Sequence, residues 1–301
     1  MMDVGNLFCI KKTFQFFRFN PIYLSAYPTF LIITFLPIYL IVNYHSMLID
    51  IACRTPFTEI VLYSFISLEI LAFIPFISLL FLIMSSVSKY IFTKINKDIY
   101  EFDFSDFNIF HNLRKNLNIA ITLSISIFIF IFLISGLQFL IYIILYISYY
   151  IVAQDNFSKF YDTFIFLLAF AFILIIIILT FYLILPILRK VLLYNRPYKL
   201  MLALPKLFSL KFLKISFTYD YFTFWFKWLI SVVGTIFIGT ILKIIVINLL
   251  NPFINEIIIF IVSSYIYMLL LTILSVYTAI CSIFSKEKLE FPALIEEENE
   301  E

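Results

Sequence analysis

The sequence predicts an all-α fold: a polytopic membrane helical bundle of six transmembrane helices, with amphipathic helices at the membrane interface. Three observations predict this class. Of the 301 residues, 63% are hydrophobic and 13% are charged, whereas a soluble domain has about 45–50% apolar and about 25% charged residues. Apolar runs long enough to cross a bilayer recur along the chain. Lys and Arg collect in alternate connections between these runs.

The six spans follow from length. A span needs about 20 mainly apolar residues, because the hydrocarbon core is about 30 Å thick and a helix rises about 1.5 Å per residue. Six segments meet this requirement, near residues 23–43, 59–84, 119–142, 163–188, 228–249 and 257–284. Together they predict one transmembrane domain over 1–284 and a disordered acidic tail over 285–301. The third run stays apolar to Val152, which is long for one span and short for two, and its end suits an interfacial extension.

The basic residues predict the orientation. Seventeen of the 21 Lys and Arg lie in the N-terminal segment, the second and fourth connections and the tail, against only Arg54 and Lys159 in the other connections. Short cytoplasmic loops collect Lys and Arg, so both termini are predicted to be cytoplasmic, in the cell (inner) membrane. The bias toward Ile, Phe, Tyr and Asn suggests an AT-rich genome, which makes the mitochondrial inner membrane the alternative location.

Basic amphipathic segments precede the first, third and fifth spans. They begin near residues 7, 106 and 204, about one hundred residues apart. In the first, Leu7, Ile10, Phe14 and Phe17 recur at helical spacing, with Lys11, Gln15 and Arg18 on the other face. In the second, Ser105 is predicted to cap a helix that carries Phe107, Phe110, Leu113 and Leu117. The pattern predicts three copies of an interfacial helix followed by a hairpin; the alternative is that any basic loop between spans looks amphipathic.

These segments predict the partners. We expect anionic headgroups of the cytoplasmic leaflet to be bound by Lys11, Lys12, Arg18, Arg114, Lys115, Arg189, Lys190 and Arg196. Each basic residue near an anionic surface contributes about 1 kcal/mol. A homo-oligomer or other membrane subunits are further expected partners, and nucleic acid is not.

Glu69 is the first candidate for chemistry inside the membrane. It lies ten residues into the second predicted span, close to mid-membrane, where a carboxylate is costly unless it faces the bundle. Pro75 follows and is expected to kink the helix by freeing the carbonyl of Leu71. A proton or cation site is one interpretation. The other is a protonated, hydrogen-bonded glutamate with a structural role.

Lys243 is the expected partner of Glu69, because it lies at a similar depth in the fifth span. The alternative is that Lys243 extends to the outer headgroups. Ser231, Thr235 and Gly239 recur at four-residue steps in the same span. Small residues so spaced let helices approach closely, so they predict a helix-packing face.

No catalytic motif, metal site or cofactor is predicted. The only histidines, His45 and His111, lie outside the spans, and Cys9, Cys53 and Cys281 have no metal-ligand or redox-motif spacing. The cysteines are therefore interpreted as small apolar side chains. Catalytic residues are not assigned.

The lead-in segments NLFCIKKTFQFFRFNP and FNIFHNLRKNLNIA, each followed by paired spans, resemble those of a broad group of prokaryotic six-span membrane proteins of unknown function. This group includes the membrane domain of some glycerophosphodiester phosphodiesterases. The resemblance implies a layout and no activity. The leading hypothesis is a non-enzymatic scaffold or lipid-associated assembly component, and the alternative is a small-solute or ion transporter that uses Glu69.

Overall fold

The computed structural model describes residues 5–53, 58–95, 102–152, 217–250 and 256–284, and some helical residues between 167 and 188. For parts of these ranges, including 51–53 and 58–70, it describes the backbone alone. The described regular structure is entirely helical. The helices are α1 Asn6–Phe19, α2 Ile22–Cys53, α3 Thr58–Ile95, a 3-10 helix Ile109–Asn112, α4 Leu113–Val152, α5 Tyr219–Leu250 and α6 Glu256–Phe284. The predicted tail at 285–301 lies outside the described residues.

Four of the described helices are long and apolar enough to cross a membrane. Their spanning segments are Ile22–Ile41 in α2, Leu71–Lys94 in α3, Tyr219–Leu249 in α5 and Ile258–Phe284 in α6. The all-helical membrane class is therefore confirmed, while six spans stay a prediction. The third predicted span lies in α4, and the fourth, at 163–188, is described only in part.

The third apolar run belongs to one continuous helix. The 40 residues of α4 run from Leu113 to Val152 without a break, which corresponds to about 60 Å. Because the hydrocarbon core is about 30 Å thick, a helix of this length must extend beyond it or tilt strongly.

The first predicted interfacial segment forms the helix α1, whereas helical structure in the second begins later than predicted, at Ile109. Ser105 caps no helix: its hydroxyl and backbone N–H donate to the carboxylate of Asp103, at 2.7 and 3.3 Å. The 3-10 helix starts four residues later, where Asn108 accepts a hydrogen bond from the N–H of Phe110 at 2.9 Å. The physical reason is that Phe102, Phe104 and Phe107 are drawn into the core. The three-copy repeat therefore fails at its second unit, and the third, near 204–217, lies almost wholly outside the described residues.

The helices gather around α6, which packs against α1, α2, α3 and α5. Buried side chains concentrate at one end, where α1, residues 102–112, the last turns of α3 and α6 and the first turns of α5 meet. We call this the basic end. Toward the opposite end, apolar side chains of α2 and α5 such as Leu40, Ile245 and Leu249 are exposed. Lipid is the medium that such surfaces require.

Polar contacts between helices supplement the apolar core. The hydroxyl of Ser78 on α3 donates to Ser124 on α4 at 3.0 Å, and the amide of Asn116 donates to Ser86 at 2.9 Å. All four side chains are buried. Small polar residues of this kind hold membrane helices together because their backbones approach closely.

Candidate functional site

The structure places Glu69 within the continuous helix α3, but its side chain lies outside the described residues. α6 packs against both α3, which carries Glu69, and α5, which carries Lys243. The proposed pairing of these two residues therefore stays a prediction.

Lys243 has an aromatic neighbour. Its ammonium nitrogen lies 4.8 Å from the ring centroid of Tyr267 on α6, and its side chain is half-buried. A cation so placed over an aromatic face is stabilised by about 0.5–2 kcal/mol, depending on how far it is removed from water. The ring of Tyr267 thus supplies part of the stabilisation of Lys243 that the sequence analysis expected from the carboxylate of Glu69.

The small-residue stripe of α5 lies along α6 at Gly239. A Cβ placed on Gly239 would lie only 1.9 Å from Cδ1 of Leu270, whereas one on Gly234 would meet nothing within 4 Å. Ser231 and Thr235 donate to carbonyls of their own helix, those of Lys227 and Ser231. Of the two glycines of α5, Gly239 is therefore the one that lies against α6.

Lys12 is buried and serves the fold. Its side chain is 7% exposed, its ammonium group donates to the carbonyl of Phe102 at 2.5 Å, and it lies 4.3 Å from the centroid of that ring. Burial lowers the pKa of Lys12, and nearby Asp103 partly opposes this shift. The sequence grouped Lys12 with the lipid contacts, but a side chain so enclosed has no surface left for a headgroup.

Two asparagines that the sequence analysis did not single out hold the ends of α1. The amide of Asn6 donates to the carbonyl of Phe224 on α5 at 3.2 Å. The amide of Asn20 donates to the carbonyls of Phe16 and Phe104, at 3.1 and 3.0 Å. Both are buried. The available signal was their position: each is an uncharged polar residue at a boundary of an aromatic-rich helix.

An aromatic cluster joins α1 to the segment before α4. The fully buried ring of Phe16 has its centroid 5.2 Å from that of Phe104, 5.0 Å from that of Phe107 and 5.6 Å from that of Tyr23. Aromatic pairs of this kind contribute about 0.5–1.5 kcal/mol beyond their burial. The cluster and the hydrogen bonds of Asn6 and Asn20 together hold α1 against α5 and the segment before α4.

The remaining outer surface of α1 is divided into two sectors. Leu7 and Phe14 are 82% and 72% exposed, and beside them Lys11 and Arg18 are also exposed. The sequence predicted these two pairs on different faces, but all four side chains are exposed, and helical spacing places them on adjoining strips of one face. Of the predicted lipid contacts, Lys11, Arg18 and Arg114 are exposed, whereas the side chain of Lys115 and all of Arg189, Lys190 and Arg196 lie outside the described residues.

The thiols of Cys9 on α1 and Cys281 on α6 are fully buried and lie beside each other. The Cys281 thiol also lies 3.9 Å from Oδ1 of Asn6. Across the described ranges, His, Cys, Asp and Glu form no group of three or more that could hold a metal ion. Cys9 and Cys281 therefore belong to the packing between α1 and α6.

Comparison of the chain with protein-family models, with curated proteins and with solved structures finds no match. The four apolar helices, each long enough to cross a bilayer, show by their length and composition that the chain is an integral membrane protein.

Proposed function

We propose that this protein is a non-enzymatic membrane component, a scaffold or lipid-associated assembly factor. The observation that carries the proposal is that some polar side chains at the basic end are buried in the fold while others are exposed. Lys12, Asn6 and Asn20 are buried and hold α1 against two other parts of the chain, α5 and the segment before the 3-10 helix, while Lys11 and Arg18 are exposed. The buried polar groups at the basic end therefore fix the position of α1 and leave its basic side chains exposed.

The outer surface of α5 supports the same proposal. Among the described helices α5 packs mainly against α6, and apolar side chains such as Phe226, Val233 and Phe237 are exposed along its length. These side chains form a long apolar surface. Such a surface suits lipids, a second copy of the chain or another membrane subunit.

A transporter is the second candidate, favoured by the position of Glu69 in α3. An ionisable residue within a span is a functional-site hypothesis by default, and Pro75 lies within the same helix. Lys243, half-buried between α5 and α6, is the other intramembrane ionisable group in this hypothesis.

Reconstituted flux separates the two candidates. The purified full-length protein is placed in liposomes under an imposed pH gradient, and wild type, Glu69→Gln and protein-free vesicles are compared with an internal pH-sensitive dye and a solute panel. The scaffold proposal expects both proteins to match the empty vesicles. Proton or solute movement in wild type that Glu69→Gln removes would overturn it and make the protein a transporter.

The proposed location is the cell (inner) membrane, with both termini and the basic end in the cytoplasm, supported by the distribution of Lys and Arg. The same proposal includes membership of the broad group of six-span membrane proteins that the lead-in segments resemble.

Cysteine labelling tests the orientation. A cysteine-free chain carrying Ser105→Cys, in the predicted second connection, or Asn251→Cys, in the predicted fifth connection, is treated with a membrane-impermeant maleimide on intact cells. Labelling of Asn251→Cys alone is expected, and labelling of Ser105→Cys alone would reverse the orientation.

A further inference from the structure

Two phenylalanine–arginine pairs stand outward from the basic end. Phe14 and Arg18 lie four residues apart on α1, and Phe110 and Arg114 lie four residues apart where the 3-10 helix runs into α4. Both rings are 72% exposed, and both arginines are exposed. Residues four apart in an α-helix are neighbours on its surface, so Phe14 and Arg18 share one strip of α1, while Phe110 and Arg114 lie on consecutive turns at the start of α4.

The fold does not use these four side chains. Within the described ranges, neither guanidinium makes an ion pair or hydrogen bond, and neither ring takes part in an aromatic pair. Lys94 differs, because its ammonium group pairs with the carboxylate of Asp106 at 3.0 Å. The pairs therefore present free donors and free apolar surface in the same place.

Both pairs are carried by one packed unit. The N–H of Ile109 donates to the hydroxyl of Tyr23 at 3.4 Å, and the amide of Asn20 donates to the carbonyl of Phe104 at 3.0 Å. These bonds connect α1, the start of α2 and the segment before α4. Binding at either pair therefore requires little ordering of the chain, which lowers its entropic cost.

We propose that the pairs Phe14–Arg18 and Phe110–Arg114 bind anionic phospholipids, with the ring at the acyl boundary and the guanidinium on the phosphate. Each pair lies just before a membrane-directed helix: α2 starts at Ile22, and the apolar part of α4 starts at Asn116. Aromatic and basic residues at the ends of spans lie at the depth of the headgroups. The planar donor fork of arginine matches a phosphate. This inference rests on the proposed function and specifies its lipid.

Lipid selectivity tests the inference. Full-length protein is reconstituted in mixed membranes, and its preference for spin-labelled phosphatidylglycerol over spin-labelled phosphatidylcholine is measured by electron paramagnetic resonance. The proteins are wild type, Arg18→Gln/Arg114→Gln, Arg18→Lys/Arg114→Lys and Lys94→Gln. We expect the preference to fall about five-fold for each arginine replaced by glutamine, with an intermediate value for the lysine variant because it keeps charge and loses the fork.

Lys94→Gln is the matched control, since it removes one positive charge at the same end from a residue already paired with Asp106. It is expected to retain the wild-type preference. Equal preference in all four proteins would overturn the lipid assignment and favour an acidic protein segment as the occupant. An equal loss in the control would reduce the effect to net charge and would also overturn it. Either failure leaves the flux result unchanged, so the proposed function is judged separately.

Discussion

The hydroxyl of Tyr265 on α6 donates a 2.8 Å hydrogen bond to the carbonyl of Leu24 on α2. This carbonyl lies four residues before Pro28, which has no N–H, so α2 cannot satisfy it internally. A neighbouring helix supplies the missing donor instead. The same arrangement recurs where Tyr221 donates to the carbonyl of Tyr182, four residues before Pro186.

The first prediction is that Tyr265→Phe lowers the free energy of unfolding by about 1 kcal/mol, because it leaves a carbonyl without a donor in an apolar medium. In a Pro28→Ala background the backbone N–H of residue 28 is restored, and the same substitution should have almost no effect. Reversible unfolding in mixed micelles gives the free energy of unfolding of the wild type, Tyr265→Phe, Pro28→Ala and the double variant. An equal loss in both backgrounds would contradict this account of the proline.

The second prediction concerns the approach of α5 to α6. Gly239→Leu should destabilise the protein by about 1–3 kcal/mol through overpacking, because even a Cβ there meets Leu270. Gly234→Leu is the control on the same helix, where a Cβ meets nothing, and should leave the melting temperature unchanged. Adding Leu270→Ala to Gly239→Leu should recover part of the loss. Similar melting temperatures for the two leucine variants would show that α5 does not approach α6 at Gly239.

The third prediction separates two neighbouring lysines. Lys12→Met should lower the free energy of unfolding by about 1–3 kcal/mol, because the buried carbonyl of Phe102 loses its donor. Lys11→Met removes an exposed side chain and should change stability by less than about 0.5 kcal/mol. Thermal unfolding in detergent gives the comparison. A larger loss of stability in Lys11→Met than in Lys12→Met would contradict the burial of Lys12.

The fourth prediction is a pH dependence carried by Lys12. Burial lowers its pKa in the folded state below the unfolded value of 10.5, so the unfolded chain binds more protons between these two pKa values. Stability then rises with pH across this window. The wild-type protein should gain stability relative to Lys12→Met as the pH rises toward 10.5. Parallel pH profiles of the two proteins would show that Lys12 keeps its ordinary pKa when folded.

The fifth prediction uses the buried thiols of Cys9 and Cys281. Mercuric ion bridges neighbouring thiols, so it should link the first helix to the last and keep the two ends joined after cleavage between α4 and α5. Cys9→Ser should abolish the link and Cys53→Ser should preserve it. A link that depends on Cys53 would contradict the packing of α1 against α6.

Local composition predicted that α1 is helical better than it predicted which side chains at the basic end are buried. The sequence pattern predicted an amphipathic helix that begins near residue 7 and carries Phe17, and the helix runs from Asn6 to Phe19. Phe17 was assigned to its lipid-facing strip but is buried, because periodicity records a face and not what covers it. Ser105 was a sound cap by residue type, yet the aromatic side chains on either side of it are buried and the chain forms a turn there, closed by the bond from the N–H of Phe107 to the carbonyl of Phe104.

The sequence by itself determined that the chain lies in a membrane, and it located the four spans that the structure describes. Hydropathy and helix length are sums over neighbouring residues, so no knowledge of the fold is needed to evaluate them. Only the tertiary structure decided that Lys12 is enclosed while Lys11 is exposed, that α6 is central, and that Tyr265 serves the carbonyl that Pro28 frees. These choices join residues distant in the sequence, such as Tyr265 and Leu24, which are 241 positions apart, and their free energy depends on which helices pack together.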